Sequence, residues 1–337
     1  MRKLLVSILL LLPLLLISCN DEIFTGRTIL ISVASDYMDT KVNKLANPLN
    51  DQAAIVCQID ALTKGDVELY LFRSEEGTRY VSRQVPGADY LFKYGEENLV
   101  ENPAKPNRKK IKMNKANWNS LVGFDFQTVA DTIKLLNAGK NDLIIFHYSG
   151  HGDVDGTLKL SLENGTEDYM GDVNLIDLMT SYNKDAKKVV ILDSCFSGSF
   201  IKDGILSSSN NFVTVGSTEK YKNESFFKAL AGCFKSINGK DTLGTPNVYI
   251  IAAATKIQTA NDYSLYSADR NHEEFGLLTF HVIKALGFDS YSMRPAEISK
   301  RITFYSLFKE VWDTMPKNDK KSFTPQATLS PLDIVLF

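Results

Sequence analysis

Six short apolar runs, separated by helical patterns, constrain the fold of this 337-residue chain. Each run is six to eight residues long, is rich in β-branched residues and has the continuous hydrophobicity of a strand buried on both faces. The runs are TILISVAS (28–35), VELYLF (67–72), DLIIFHYS (142–149), KVVILDS (188–194), NVYIIAAA (247–254) and LDIVLF (332–337). Strands that alternate with helices predict an α/β domain with a mostly parallel six-stranded sheet and helices on both faces.

Four stretches between the runs have the pattern of amphipathic or buried helices. In the second of them, Val129, Ile133 and Leu136 fall on one face and Gly139 follows as a stop signal. The first begins with an Asx-rich cap and ends at Gly65. The predicted helices span residues 47–65, 126–140, 174–184 and 275–287.

Two stretches interrupt this alternation. Residues 73–120 have the turn residues and charges of an inserted hairpin or exposed loop, and the basic run 105–115 fits a solvated loop better than a polyanion site. Residues 200–246 are polar and far longer than an ordinary connection between core strands. We therefore expect 200–246 to be functional, as an activation segment that contains basic cleavage sites.

A catalytic pair is predicted from the residues that follow two neighbouring runs. His151 lies between Gly150 and Gly152, and Cys195 is followed by Gly198. The carboxyl ends of parallel strands meet at one edge of a sheet, so the two side chains are expected to lie close together. A thiol needs a base to become a nucleophile at neutral pH, and an imidazole can supply it. The glycines leave room for substrate beside both residues.

The same two motifs resemble a known family. HYSGHGD (147–153) and ILDSCFSG (191–198) are similar to the His and Cys boxes of caspase-fold cysteine peptidases, most of all to the metacaspase and bacterial caspase-like branch. The resemblance extends to the first helix, to the strand at 247–254 with its following loop, to a late helix at 275–287 and to the C-terminal segment 324–337. Only residues 73–120 and 200–246 have no obvious counterpart.

The resemblance implies a caspase-like three-layer sandwich and a cysteine endopeptidase. It assigns His151 as the base and acid, Cys195 as the nucleophile, and the amides of Gly152 and Cys195 as the oxyanion donors. It also implies that Asp51 and Asp193 bind the side chain before the cleaved bond, which favours Arg or Lys there because a desolvated carboxylate pairs best with a cation. The alternative that Asp51 is an ordinary acid at a helix N-terminus stays open.

Other functions remain to be weighed against this one. A caspase-fold protein that only binds a partner, and a legumain-like transpeptidase with the same pair of residues, are both consistent with the motifs. The chemistry needs no metal or cofactor. An activating Ca²⁺ is a further hypothesis for the acids after the His box, although their spacing departs from that of the calcium-binding relatives and an ordinary polar loop is the alternative; these acids are Asp153, Asp155, Asp168 and Asp172.

Composition narrows the list of partners. The formal charge of −2 lacks the basic excess of a nucleic-acid-binding protein, so a peptide or protein substrate is expected instead. His147 and His151 stand four apart, but they follow a strand rather than lying on a helix, which argues against a metal pair. Cys57 and Cys233 could form a disulfide or could both be small buried residues.

The N-terminus predicts export and lipid anchoring. Arg2 and Lys3 precede the apolar run 4–17, which is too short for a comfortable membrane span and reads as the core of a signal peptide. Residues 16–19 (LISC) resemble a bacterial lipobox, in which Cys19 is acylated. An ordinary secretory signal with an incidental cysteine is the alternative.

These features divide the chain into a lipoprotein signal peptide (1–18), a tether (19–27) and a peptidase domain (28–337). The lipid would hold the protein at the bacterial cell envelope, on the periplasmic or surface face of the outer membrane.

Overall fold

The structure of the chain is a computed structural model. It describes residues 26–35, 37, 43–64, 67–73, 99–100, 111–113, 125–154, 157–161, 167–170, 172–201, 248–263, 265–269, 272–291, 295–296, 298, 300–328 and 334–337. The predicted signal peptide, Cys19 and nearly all of the predicted activation segment lie outside these residues. No helix within them is long and apolar enough to cross a membrane.

Five of the six predicted strands are present at the predicted places. The strands of the described residues are β1 (Thr28–Ala34), β2 (Val67–Arg73), β3 (Leu99–Val100), β4 (Ile111–Met113), β5 (Leu143–Ser149), β6 (Leu158–Ser161), β7 (Glu167–Met170), β8 (Lys187–Asp193), β9 (Val248–Ala252) and β10 (Gln326–Ala327). The interiors of β1, β5, β8 and β9 are buried, as their unbroken hydrophobicity predicts.

The main sheet has the order β10-β9-β8-β5-β1-β2-β4-β3. Neighbours from β9 to β4 are parallel, whereas β10 pairs antiparallel with β9 and β3 pairs antiparallel with β4. The six strands from β10 to β2 form the body of the sheet, and β4 and β3 extend it beyond β2. This extension comes from the predicted insertion 73–120, which contributes a strand pair of the kind expected from a hairpin. A separate antiparallel pair joins β6 to β7.

The sixth predicted strand, 332–337, is wrong. Residues 334–337 hydrogen-bond to the backbone around Ile302, and Val335 forms an isolated bridge with Thr303. The edge of the sheet beside β9 is occupied by Gln326–Ala327 instead. The apolar pattern of the C-terminus reflects burial beneath a neighbouring loop, because Ile334 and Leu336 pack into the hydrophobic core without joining the sheet.

Helices cover both faces of the sheet, and the predicted α/β sandwich is confirmed. They are α1 (Pro48–Leu62), α2 (Phe126–Leu135), α3 (Asp172–Ser181), α4 (Leu277–Ala285), α5 (Phe304–Thr314) and α6 (Lys317–Ser322). Side chains from α1, α4 and α5 share one hydrophobic cluster with one face of the strands. Side chains from α2 and α3 form the cluster on the opposite face. Alternate residues of each strand serve the two clusters, which fixes the sheet between the helix layers.

The predicted helices are shorter than their patterns at one or both ends, and the predicted cap of α1 is absent. Asn47 precedes α1 but makes no side-chain bond to the helix; its amide donates instead to the carbonyl of Glu273, 3.0 Å away, and to that of Asp262. A tertiary contact therefore replaces the local cap. The helix α2 ends at Leu135, four residues before the glycine expected to stop it.

Helix α1 is buried along nearly its whole length, with 14 of its 15 residues inaccessible. Polar side chains on a helix in this position must find partners inside the protein. The Nε2 of Gln52 donates to the carbonyl oxygens of Ser32 (2.8 Å) and Phe72 (3.0 Å), which lie near the ends of β1 and β2. Gln52 thus ties α1 to the edge of the sheet that carries the site.

We predict that Gln52→Met lowers the free energy of unfolding by about 1–3 kcal/mol, because two buried carbonyl oxygens lose their shared donor. The matched control is Gln127→Met on the exposed face of α2, where Gln127 bonds only to Asp131 across one turn; its effect should stay within about 0.5 kcal/mol. Urea denaturation of both variants checks this. Equal stability of the two variants would contradict the role of Gln52.

Candidate active site

The pairing of β5 with β8 brings the two predicted catalytic residues to one place. The strands are parallel and in register, with Ser149 opposite Asp193 at their carboxyl ends. His151 lies two residues beyond Ser149, and Cys195 lies two residues beyond Asp193. Neighbouring strands are about 4.8 Å apart, so both loops begin side by side. The N–H of Gly150 donates to the carbonyl of Asp193 at 3.2 Å and continues the pairing past the strand ends.

The two loops touch at Gly152. A Cβ atom added to this glycine would lie 2.1 Å from the carbonyl oxygen of Cys195, so only a residue without a side chain permits this approach. The backbone N–H groups of Gly152 and of Cys195 itself both interact with the sulfur and lower the pKa of the thiol. The two amides predicted to bind an oxyanion therefore face the reactive atom.

The thiol of Cys195 is protonated at neutral pH in this arrangement. Burial raises its pKa above the ordinary value, and this effect outweighs the bonds from the neighbouring amides. The N–H of Ala260 lies 3.3 Å from Sγ and is the strongest of those opposing bonds. A nucleophilic sulfur here requires a base to remove its proton.

His151 has the tautomer that such a base needs. Its Nε2 lies 2.6 Å from the carbonyl oxygen of Asn43. A carbonyl oxygen only accepts hydrogen bonds, so Nε2 carries the proton in the neutral imidazole. The lone pair is therefore on Nδ1, which is the atom able to accept a proton from a thiol. The role of Asn43 could not be predicted from the sequence, because its backbone rather than its side chain makes the contact.

Asp51 and Asp193 come together at Gly276, although they are far apart in the sequence. A Cβ on Gly276 would lie 2.4 Å from Oδ2 of Asp193 and 2.7 Å from Oδ2 of Asp51. Asp51 accepts hydrogen bonds from the N–H of Gly276 (2.9 Å) and from the Ser149 hydroxyl (2.6 Å). Asp193 accepts one from the N–H of Thr279 (2.8 Å). The two carboxyl groups thus form one buried acidic cluster beneath the sheet edge.

Burial changes the titration of this pair. Desolvation, followed by the charge of Asp193, raises the pKa of Asp51 well above its usual range. Desolvation also raises the pKa of Asp193, to about 7, against the hydrogen bond from Thr279. The side chains are 0% and 5% exposed, so water screens their repulsion poorly. Ionisation of both groups is unfavourable unless a cation approaches.

Asp262 is a third acid at this place, and the sequence patterns did not single it out. Its Oδ2 accepts the N–H of Ala46 at 2.9 Å. Burial raises its pKa, whereas the charge of His151 lowers it, and its own charge raises the pKa values of Asp51 and Asp193. It therefore lies within electrostatic range of both the imidazole and the acidic cluster. Its place in the loop after β9, at the same sheet edge, is the signal that could have identified it.

The other predicted residues lie elsewhere or outside the described residues. His147 is buried within β5, with Nδ1 2.9 Å from the Ser32 hydroxyl, and burial lowers its pKa to about 3. Cys57 is buried in α1, and its predicted partner Cys233 lies outside the described residues. The described residues contain no cluster of three acidic, His or Cys side chains able to hold a metal ion. Asp155 and the side chains of Asp168 and Asp172 lie outside that description, so the calcium site stays a prediction.

The chain has distant likenesses among solved structures, including the following two. The crystal structure of protein GSU0716 from Geobacter sulfurreducens is 16% identical, with a TM-score of 0.46, over 91% of this chain and 95% of that one. The crystal structure of Raptor from Chaetomium thermophilum is 12% identical, with a TM-score of 0.32, over 78% of this chain and 18% of that one. Both TM-scores are too low to support a conclusion about fold or function. No curated protein sequence matches the chain.

A family model gives a clear assignment. The model of the peptidase C13 family matches residues 81–278, which is more than half of the chain. The match contains His151 and Cys195 as well as segment 200–246 and most of the insertion, and it begins after Asp51. The resemblance to the metacaspase branch stays a prediction, while the broader assignment rests on this match. The chain therefore belongs to the peptidase C13 family of cysteine peptidases.

Proposed function

We propose that this protein is a cysteine endopeptidase that uses Cys195 and His151 and cleaves after Arg or Lys. The observation that carries the proposal is the in-register pairing of β5 with β8, with each of the two residues two positions past the paired ends. Family membership supports the cysteine peptidase chemistry. The preference for a basic residue is supported by the buried acidic cluster of Asp51 and Asp193.

The chemistry follows from the protonation states at the site. Nδ1 of His151 takes the proton of the Cys195 thiol, and the thiolate attacks the peptide carbonyl carbon to form a carbon–sulfur bond. When the tetrahedral intermediate collapses, the carbon–nitrogen bond breaks and His151 returns the proton to the leaving amine. Water then attacks the thioester with His151 as the base, which releases the carboxylic acid product and restores the thiol.

The negative oxygen of the tetrahedral intermediate needs donors that are already oriented. The N–H groups of Gly152 and Cys195 face the sulfur and would bind an oxygen that forms beside it. Loss of one oxyanion donor typically raises the barrier by about 3 kcal/mol. Gly152 has no alternative residue here, since any side chain would meet the carbonyl of Cys195.

A preference for Arg or Lys before the cleaved bond would follow from the desolvation of the acidic cluster. Asp51 and Asp193 are buried, and a cationic side chain would restore the favourable environment that their charges lack. Asp262 adds a third negative group in range of both. An Arg side chain, with its planar array of donors, suits a pair of carboxylates better than any neutral side chain does.

A transpeptidase is the second candidate function. The chain belongs to the peptidase C13 family, and the thioester intermediate of the proposed mechanism can react with an amine as well as with water. A raised pKa in the acidic cluster also leaves a protonated carboxyl group at mildly acidic pH, and such a group can donate to the carboxamide of Asn. A transferase of this kind would join a peptide to an added amine after cleavage at Asn.

We further propose that acylation of Cys19 anchors the protein in the bacterial cell envelope. The support is the short apolar segment and the LISC motif of the sequence. An exported, anchored peptidase would meet extracellular or periplasmic proteins as substrates. Mass spectrometry of the N-terminal peptide from membrane fractions, in wild type and Cys19→Ala, tests the anchor independently of activity.

The first prediction concerns the catalytic pair. With fluorogenic peptides ending in Arg, Lys, Asn or Asp, Cys195→Ala should abolish turnover, and His151→Ala should lower kcat by about 10²–10⁴-fold because the thiol loses its base. Labelling of Cys195 by an electrophilic probe should fall in parallel. The control His272→Ala changes a partly exposed imidazole outside the site. No turnover by wild type on any peptide, together with no labelling, would indicate a binding protein instead.

The second prediction concerns the acidic cluster. Asp193→Asn should lower kcat/KM for Arg and Lys peptides by about 10–100-fold, the value of a charge-assisted hydrogen bond, and should spare peptides with uncharged residues. Asp131→Asn, on the exposed face of α2, is the matched control. For wild type, kcat/KM for the Arg peptide should rise with pH toward about 7, as Asp193 ionises. Equal losses for all peptides would contradict a role in specificity.

The third prediction concerns stability. The folded-state pKa of Asp51 is raised, so the unfolded chain ionises first and wild type loses stability as pH rises above the ordinary carboxyl range. Asp51→Asn keeps partners for Gly276 and Ser149 without this loss. It should raise the free energy of unfolding by about 1–3 kcal/mol at pH 8 and change it little at pH 4, in the range of single-residue effects. Urea denaturation at both pH values would detect the opposite sign, which would mean that the charge of Asp51 is stabilised in the fold.

A further inference from the structure

Tyr37 has an unusual backbone for a bulky residue. It follows the carboxyl end of β1, at the same sheet edge as His151 and Cys195, and its side chain is 0% exposed. Its φ angle is 62°, in the left-handed region that residues with a Cβ seldom occupy. Such conformations persist where the surrounding structure imposes them, often at functional sites. Its contacts show what this conformation achieves.

The ring of Tyr37 lies against the imidazole of His151. The ring centroids are 4.4 Å apart and the planes are tilted by 44°. Together with the hydrogen bond from Nε2 to Asn43, this contact restricts the imidazole on one face and at one end. The remaining nitrogen, Nδ1, is the one required by the chemistry. An aromatic face also stabilises a cation, which the imidazole becomes after it accepts a proton.

The hydroxyl of Tyr37 binds the backbone of His151. It accepts the N–H of His151 at 2.9 Å and donates to the carbonyl of Lys159. The hydroxyl of Tyr148 lies 3.1 Å from it, 2.7 Å from the carbonyl oxygen of His151 and 2.5 Å from that of Lys159, so its single proton is shared between two acceptors. Two buried phenols therefore bind both backbone polar groups of His151 and connect them to β6.

Gly150 is needed for this arrangement. A Cβ at this position would lie 2.7 Å from the hydroxyl of Tyr148 and 2.9 Å from that of Tyr37. The glycine before His151 therefore lets the loop pack directly on the two phenols. The two glycines that flank His151 therefore have different roles. Gly150 allows close approach to the two tyrosines, and Gly152 allows close approach to Cys195.

We propose that Tyr37 is a positioning residue for His151, which it orients through its ring and anchors through its hydroxyl. The inference rests on the proposed function, in which His151 is the base. Tyr37 contacts the ring of His151 with its own ring and the backbone N–H of His151 with its hydroxyl, so its effect on the reaction is expected to pass through the imidazole. The ring and the hydroxyl make separable contributions.

The test compares two substitutions at one position. Tyr37→Phe keeps the ring and removes the hydroxyl, and it should lower kcat about 3–10-fold, the value of one hydrogen bond. Tyr37→Leu removes both groups and should lower kcat about 10²-fold, as expected when a reacting group is displaced. KM should stay unchanged in both, because the acidic cluster is intact. Tyr70→Phe, which removes a hydroxyl from another largely buried tyrosine outside the site, should leave kcat unchanged.

A second readout does not depend on turnover. The chain has four histidines, so the ring-proton resonance of His151 can be assigned by its loss in His151→Ala. The ring current of Tyr37 should shift this resonance in wild type and in Tyr37→Phe, and the shift should disappear in Tyr37→Leu. If Tyr37→Leu does not fold, Tyr37→Phe decides the matter through its kcat and its thermal unfolding, which should match that of Tyr70→Phe.

The outcomes separate the two proposals. Wild type that cleaves peptides and depends on His151, with Tyr37 variants of unchanged kcat, would overturn the role of Tyr37 and leave the peptidase intact. A fall in kcat matched by an equal loss of folded protein would assign Tyr37 to stability alone and would also overturn its positioning role. Wild type without turnover or labelling of Cys195 would overturn the peptidase and, with it, the role of Tyr37.

Discussion

The register between β5 and β8 is the constraint on which the site depends. A slip of one residue would turn every side chain of the slipped strand to the opposite hydrophobic cluster and would also move His151 relative to Cys195. The two clusters, one on each face of the sheet, oppose such a slip because every buried hydrophobic side chain of β5 and β8 belongs to one of them. Packing far from the chemistry thus determines the relative position of the two loops. Gly150 and Gly152 then let the loops close on their neighbours without a steric clash.

The same sheet edge contains two buried carboxyl groups whose ionisation is unfavourable. Asp51 and Asp193 are buried beside each other, and both have raised pKa values because water is excluded from them. A fold selected only for stability would place neutral residues there. Their retention at the end of β8 and on α1 is understandable if a substrate cation completes the cluster. On the proposed function, stability and recognition would oppose each other at these positions, as they often do at functional sites.

Much of the fold could be predicted from the sequence, because buried parallel strands need continuous apolar runs. Five of the six runs are strands of the sheet. The run at 332–337 is not, since an apolar pattern reports burial without specifying the partner, and this segment pairs beside Ile302. The prediction of a cap for α1 was wrong for a related reason: the side-chain amide of Asn47 donates to a distant loop instead of binding its own helix. Local patterns predict what a segment can form, and competing tertiary contacts decide which of those possibilities is used.

By itself, the sequence determined the order of strands and helices along the chain and indicated His151 and Cys195 as the candidate catalytic pair, because apolar periodicity and glycine-flanked reactive residues are local features. The sequence also indicated Asp51 and Asp193 as candidate substrate-binding residues. Only the tertiary structure decided which groups meet them: the carbonyl of Asn43, the carboxyl of Asp262 and the phenol of Tyr37. Tyr37 and Asn43 lie between β1 and α1, whereas Asp262 lies after β9, and their roles depend on backbone contacts, on burial and on a left-handed backbone angle. None of these properties has a local signature, since each arises when distant segments pack against the same sheet edge.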